Sequence, residues 1–292
     1  MNFMRSLLIV TSILVLPIAV SAQGLDTAKI DQALGRPGQK IGDVYKFGFP
    51  RTDLHVSVHG LAIKPGLALG SWAAFTGTDD NAMVMGDLVL LEDELNPVIE
   101  KLRSAGFDIS AVHNHLIGET PHVLYVHYMG HGPASQLAAS LRAALAVSKT
   151  PLEKPATAAE EAAPPAWVKT VEDSVGRKGT FKGGVLSFGV PRADSITLEG
   201  MTIAPGAGVA EAINFQAADS GNVATTGDFV LIAEEVNPVI SELQGHQISV
   251  TALHSHMLTE QPRLFFMHFW SVGSPESVGG GIKAALSRVS VK

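Results

Sequence analysis

The stretch Asn96-Pro97-Val98-Ile99-Glu100-Lys101-Leu102-Arg103-Ser104-Ala105-Gly106-Phe107-Asp108-Ile109-Ser110-Ala111-Val112-His113-Asn114-His115 reads as a helix followed by a strand. Asn96 suits an N-cap and Pro97 the first helical position, so the helix is expected to run from there and stop at Gly106. Phe107 to His115 then reads as a strand. Downstream, Gly118-Glu119-Thr120-Pro121 is turn chemistry, His122 to Met129 is a returning strand, and Pro133 opens an Ala/Leu-rich helix. Upstream, Asp87 to Leu91 is a strand, and apolar residues alternate in Leu54 to Val58 and Ser71 to Phe75. A short helix near Asp26 to Leu34 ends at Gly35. The sum is an α+β domain: an antiparallel strand region followed by β-α-β-β-α.

The same domain occurs twice. Asn96-Pro97-Val98-Ile99 returns as Asn237-Pro238-Val239-Ile240, Gly48-Phe49-Pro50-Arg51 as Gly189-Val190-Pro191-Arg192, and Ala143-Ala144-Leu145 as Ala284-Ala285-Leu286. Units this long are a tandem domain duplication and not a solenoid. The expected layout is a signal peptide at 1–22, repeat 1 at 23–148, an Ala/Pro/Glu-rich linker at 149–166 and repeat 2 at 167–292. The linker lacks hydrophobic periodicity and reads as solvated and semi-extended.

Chemistry concentrates in one repeated pattern. His113-Asn114-His115, with Glu119 and His127 downstream, recurs as His254-Ser255-His256 with Glu260 and His268. Strand side chains alternate faces, so His113 and His115 share one. A turn centred near residue 120 would set His113 opposite His127 and His115 opposite Tyr125. Three imidazoles then crowd one face of a hairpin, and Phe266 takes the place of Tyr125 in repeat 2. Six metal-ligand candidates follow: His113, His115, His127, His254, His256 and His268. Zinc is the first expectation, and iron, manganese or copper fit the same donors. Glu119 and Glu260, at the edge of the cluster, are candidates for a further ligand or a general base. Arg51 and Arg192 either bind an anion or lock the repeat. The bland alternative is histidines that only pack. Gly86-Asp87 and Gly227-Asp228 read most simply as turns. His55, His59, His122, His131 and His246 have no histidine partner in the other repeat.

Composition narrows the function classes. The 292 residues are 46% hydrophobic and 17% charged, which is a folded composition. A formal charge of -7 without a basic run excludes a nucleic-acid face. Arg5 and the apolar stretch Leu7 to Val20 fit a signal peptide cleaved near Ala22, so a periplasmic or secreted protein is expected. There is no cysteine, hence no disulfide, no thiolate ligand and no lipid-acceptor residue; no stable membrane anchor is expected after cleavage.

The His-x-His run followed by Glu resembles the first cupin motif, but the second cupin motif is not recognisable and helices interrupt the strands. A closer resemblance spans nearly the whole mature chain. Gly70-Ser71-Trp72-Ala73-Ala74-Phe75, Gly86-Asp87-Leu88-Val89-Leu90, Glu94-Leu95-Asn96-Pro97-Val98-Ile99 and Leu253 to Trp270 resemble the LppY/LpqO family. That resemblance implies export and a duplicated domain, without an assigned reaction. Three functions remain open: a divalent-metal-binding protein with a site per repeat or a site where the repeats meet, a metal-dependent hydrolase or lyase for a small anionic substrate, and a non-catalytic envelope interaction module. The expected partner is a metal ion or small molecule; the sequence leaves the oligomeric state open.

Overall fold

The computed structural model describes residues 24–153 and 163–292. The expected signal peptide and the middle of the linker lie outside the described residues. Repeat 1 begins with α1 (Thr27–Leu34), β1 (Gln39–Ile41), β2 (Val44–Pro50), β3 (Ser57–Val58), β4 (Leu61–Ala62) and α2 (Pro65–Ala68). It continues with β5 (Gly70–Gly77), β6 (Ala82–Leu91), α3 (Glu92–Ser104), β7 (Asp108–His113), β8 (Glu119–Thr120), β9 (Val123–Gly132) and α4 (Ala134–Leu145). Repeat 2 opens with α5 (Ala166–Val175), β10 (Thr180–Lys182), β11 (Val185–Pro191), β12 (Ile196–Leu198) and β13 (Met201–Ile203). Then come β14 (Ala210–Ala217), β15 (Val223–Leu231), α6 (Ala233–Gly245), β16 (Ser249–His254), β17 (Phe265–Gly273) and α7 (Pro275–Leu286). The α+β duplication expected from the sequence is what the chain forms.

Each repeat builds one antiparallel six-stranded sheet, ordered β1-β2-β5-β6-β9-β7 and β10-β11-β14-β15-β17-β16. The central strand β6 is buried almost throughout because both its faces are covered. Val84, Leu88 and Leu90 point into a core with Ile30, Leu34, Val98, Leu102 and Leu141 of α1, α3 and α4. The alternate residues turn to the opposite face. There, Met83 and Met85 join Val230, Met257 and Phe266 of repeat 2 in a core built from both halves. A second mixed core sets Val185 and Trp270 of repeat 2 against Val58, Val89 and Tyr125. The two sheets therefore face each other with the helices outside. Hydrogen bonds from Gln216 Nε2 to Ala62 O (2.8 Å), Lys64 N to Gln216 Oε1 (2.9 Å) and Asn214 Nδ2 to Leu67 O (3.1 Å) fasten the halves.

Two local expectations are corrected. α3 starts at Glu92, four residues before the expected cap at Asn96, and Pro97 lies inside it. The cause is Glu94, whose carboxylate accepts Leu91 N at 2.9 Å while Glu92, Asp93 and Glu94 meet the positive end of the helix. α6 begins the same way, with Glu235 accepting Ile232 N at 3.0 Å. The Gly-Asp pairs are not turns but lie within β6 and β15, where the strands leave no room for a side chain. A Cβ on Gly227 would sit 1.9 Å from Ala212 O, and one on Gly86 would sit 2.1 Å from Trp72 O. Gly227→Ala is accordingly expected to cost about 3 kcal/mol, the upper end for overpacking. Urea unfolding of the variant checks this, and a cost near zero would contradict the close approach.

Candidate metal centre

The hairpin of β7 and β9 carries the three histidines of repeat 1, with a register two residues from the expected one. Ala111, not His113, faces His127, and His113 faces Tyr125. A bulge between Ile109 and Ala111 accompanies the shift, and His115 lies beyond the end of β7. A slide of two residues preserves which face each side chain takes, so the imidazoles still converge. Repeat 2 repeats the pattern, with Ala252 facing His268, His254 facing Phe266 and a bulge between Val250 and Ala252.

The two triads meet between the sheets. His113 stacks on His254 with centroids 3.6 Å apart, His115 on His268 at 3.7 Å, and His127 on His256 at 3.5 Å. Because residue 113 corresponds to 254, 115 to 256 and 127 to 268, this pairing is the signature of a pseudo-two-fold axis through the cluster. Tyr125 closes one flank by stacking on His115 at 3.4 Å, and Phe266 closes the other on His256 at 3.3 Å. Thr251 Oγ1 donates to His115 O at 2.6 Å and Asn114 Nδ2 to Thr251 O at 3.2 Å, fixing the loop that carries His115, and Ser110 Oγ donates to His256 O on the matching loop.

Sequence reading missed two carboxylates. Asp87 faces His127 across β6 and β9, and Asp228 faces His268 across β15 and β17. Asp87 Oδ2 lies 3.5 Å from His115 Nε2 and 3.8 Å from His127 Nε2, and Asp228 Oδ1 lies 2.9 Å from His268 Nδ1. The signal was present: an acidic residue at the same place in both repeats, flanked by strand-forming apolar residues.

These groups can hold a metal ion. Donor atoms of Asp228, His254, His256 and His268 all lie within 4.8 Å of one another, as do those of His113, His115 and His268, and those of His113, His127 and His254. Two of the three sets draw on both repeats. His254 Nε2 and His268 Nε2 stand 2.9 Å apart. The Nε2 atoms of His113, His115, His127 and His256 are buried with no hydrogen-bond partner among the described residues.

Other candidates are placed elsewhere. Arg51 is fully buried, donating to Glu94 Oε2 (2.7 Å), Val89 O (2.7 Å) and Asp53 Oδ2 (2.9 Å). Arg192 pairs with Glu235 (2.7 Å) and Asp194 (2.5 Å). Both arginines lock a strand to the start of a helix. Glu119 meets His122 Nδ1 at 2.7 Å, while Glu260 accepts from Leu264 N at 2.9 Å and Arg263 at 3.4 Å. His122 and Arg263, different in identity, thus do the same work. Neither glutamate makes a hydrogen bond or ion pair with the six imidazoles among the described residues. His59 and Glu199 are exposed turn residues with positive φ.

Burial governs the protonation of the centre. It pushes the His115, His127 and His256 imidazoles well below the usual histidine value, with neighbouring imidazoles adding to the effect. His113 is depressed likewise, and His254 is lowered to about 4. Burial pushes the Asp87 carboxyl well up, Asp228 adding to it. A depressed histidine leaves the unfolded chain holding more protons than the folded one between the two pKa values, so its stability contribution is full above about pH 6.5 and lost as pH falls. For His254 that loss runs down to about pH 4. Asp87 and Glu211, both raised by burial, act in the opposite direction, two groups against five. The metal-free chain should therefore show a melting temperature that falls between pH 7 and pH 4.5; a flat profile would contradict neutral buried imidazoles.

A cleft of about 380 Å³ between the repeats is lined by His115, His127, His256, Asp87 and Asp228. Lys46, Trp72, Asn214 and Thr226 stand on its walls.

The chain belongs to the family described as Domain of Unknown Function (DUF1259), which matches it twice, over residues 28–147 and 169–288. No curated protein matches it. A solved structure that it resembles is a trimeric bacterial microcompartment shell protein, PduB, at 10% identity over 86% of this chain and 89% of that one. The TM-score of 0.22 is too low for that likeness to bear on fold or assembly.

Proposed function

We propose that this chain is an exported protein that binds a divalent metal ion in one centre shared by its two repeats. The observation that carries this reading is the set of four buried Nε2 atoms with no hydrogen-bond partner among the described residues, converging from both repeats beside two aspartates. Buried polar groups in native proteins are hydrogen-bonded, and each orphan costs about 1–3 kcal/mol. An ion satisfies several of these nitrogens at once, whereas histidines serving only to pack would leave them unpaid. Neutral imidazoles and carboxylates without thiolate suit zinc first, then iron, manganese or copper. Support for export comes from Arg5, the apolar Leu7 to Val20 stretch and the resemblance to the LppY/LpqO proteins.

A metal-dependent hydrolase or lyase is the second reading, favoured by the cleft that opens onto the imidazoles. Glu119 and Glu260, the bases this reading would use, make no hydrogen bond or ion pair with the six imidazoles among the described residues.

Elemental analysis of protein purified from the periplasm tests the proposal. Stoichiometric metal is expected, and chelation should lower the melting temperature, because a ligand bound only by the folded state stabilises it. Metal-free protein whose stability ignores both chelator and added zinc would sink the reading.

A further inference from the structure

The pseudo-two-fold symmetry of the histidines does not extend to the cleft above them. Lys46 stands where repeat 2 has Ser187, and Trp72 where it has Ala212. Lys46 Nζ reaches across the repeat boundary to Gly206 O at 3.2 Å and lies 4.4 Å from the Trp72 ring centroid. An ammonium has three donors, so this lysine keeps capacity to spare, and it forms no ion pair among the described residues. Across the cleft, the Thr226 hydroxyl is buried and has no hydrogen-bond partner among the described residues. A half-buried cation without a counterion and an orphaned hydroxyl, lining one cavity, are the features of a site shaped for an acceptor that the protein itself does not supply.

We propose that the cleft binds a small oxyanion, a molecule carrying a carboxylate or phosphate group, held by the Lys46 ammonium and the Thr226 hydroxyl above the metal centre. The volume is at the small end for ligand pockets, so the ligand has few heavy atoms beyond its charged group. Asp87 and Asp228 also face the cleft. A divalent ion beside them offsets their charge, and Lys46 then leaves the cleft with an excess of positive charge. The arginines that the sequence offered for this task are spent on Glu94 and Glu235. The inference rests on the metal reading only for that offset; Lys46 and Thr226 belong to no ligand set.

Calorimetric titration with oxalate and with inorganic phosphate tests it, using metal-loaded and chelated chain with metal content measured in each sample. The wild-type chain should bind at least one of the two anions, and the preference between them tells carboxylate from phosphate. Lys46→Met, which removes the charge and keeps an unbranched side chain, should weaken that binding about 10- to 100-fold, the loss of one charge-assisted hydrogen bond, with metal content retained. Thr226→Val should weaken it in the same direction, and Lys46→Arg should keep it. Equal affinity in folded Lys46→Met, or no binding of either anion at millimolar concentration by the metal-loaded wild type, would overturn the proposal while leaving the metal centre standing. Lys46-dependent binding by a chain that never takes up metal would do the reverse.

Discussion

Replacing Arg51 by Met is expected to cost about 3–5 kcal/mol of stability, the range for removing one partner of a buried ion pair. The guanidinium is fully buried, and its partner Glu94 is only 5% exposed. Glu94 also accepts Leu91 N at 2.9 Å, which starts α3, and Lys149 N at 2.7 Å, which fixes the exit from the repeat. Without Arg51 that carboxylate stays buried and uncompensated, and Val89 O loses its donor. Arg192→Met should act in the same direction through Glu235, which holds Ile232 N and Ser290 N. The cost should be smaller there, since Arg192 Nε already lacks a hydrogen-bond partner among the described residues. Thermal unfolding should show a fall of about 10 °C or more for Arg51→Met. An unchanged melting temperature with lost oxyanion binding would return the arginines to the ligand-holding role that the sequence also allowed.

The second large effect is loss of metal on changing a histidine of either repeat. His113 and His254 stack on each other at the middle of the cluster, and each belongs to two of the donor sets. Losing one donor should weaken binding by more than the roughly 10- to 100-fold that removal of a group merely supporting a ligand costs. The effect should be felt by the whole centre, because His113 shares sets with His254 and His268 of the other repeat.

Much of this was legible in the sequence, and the limits were physical. Internal identities exposed the duplication, and strand alternation put His113, His115 and His127 on one face even though the register was misread by two residues. Parity survives such a slip, so the triad did too. Alternation cannot say what that face meets, and the sequence left a site per repeat and a shared site equally open. The two cores shared by the repeats, one around Met83, Met85 and Phe266 and one around Val89, Tyr125 and Val185, turn the two faces toward each other. Asp87 and Asp228 were obscured by their glycine neighbours, since Gly-Asp suggests a turn wherever strand crowding is invisible. Asn96 and Pro97 looked like a helix start because the capping carboxylate two residues earlier, Glu94, competes with no visible pattern. The shared role of His122 and Arg263 was hidden by their difference in identity. Both simply donate to the corresponding glutamate, Glu119 or Glu260.

The most direct test of a single shared centre is zinc titration of the wild-type chain, His113→Ala and His254→Ala, with folding confirmed for each. The account predicts that either substitution, though confined to one repeat, lowers affinity for every equivalent of zinc that the wild type binds. If each variant lost half of the bound zinc and kept the other half at wild-type affinity, the repeats would hold independent sites and the shared centre would be refuted.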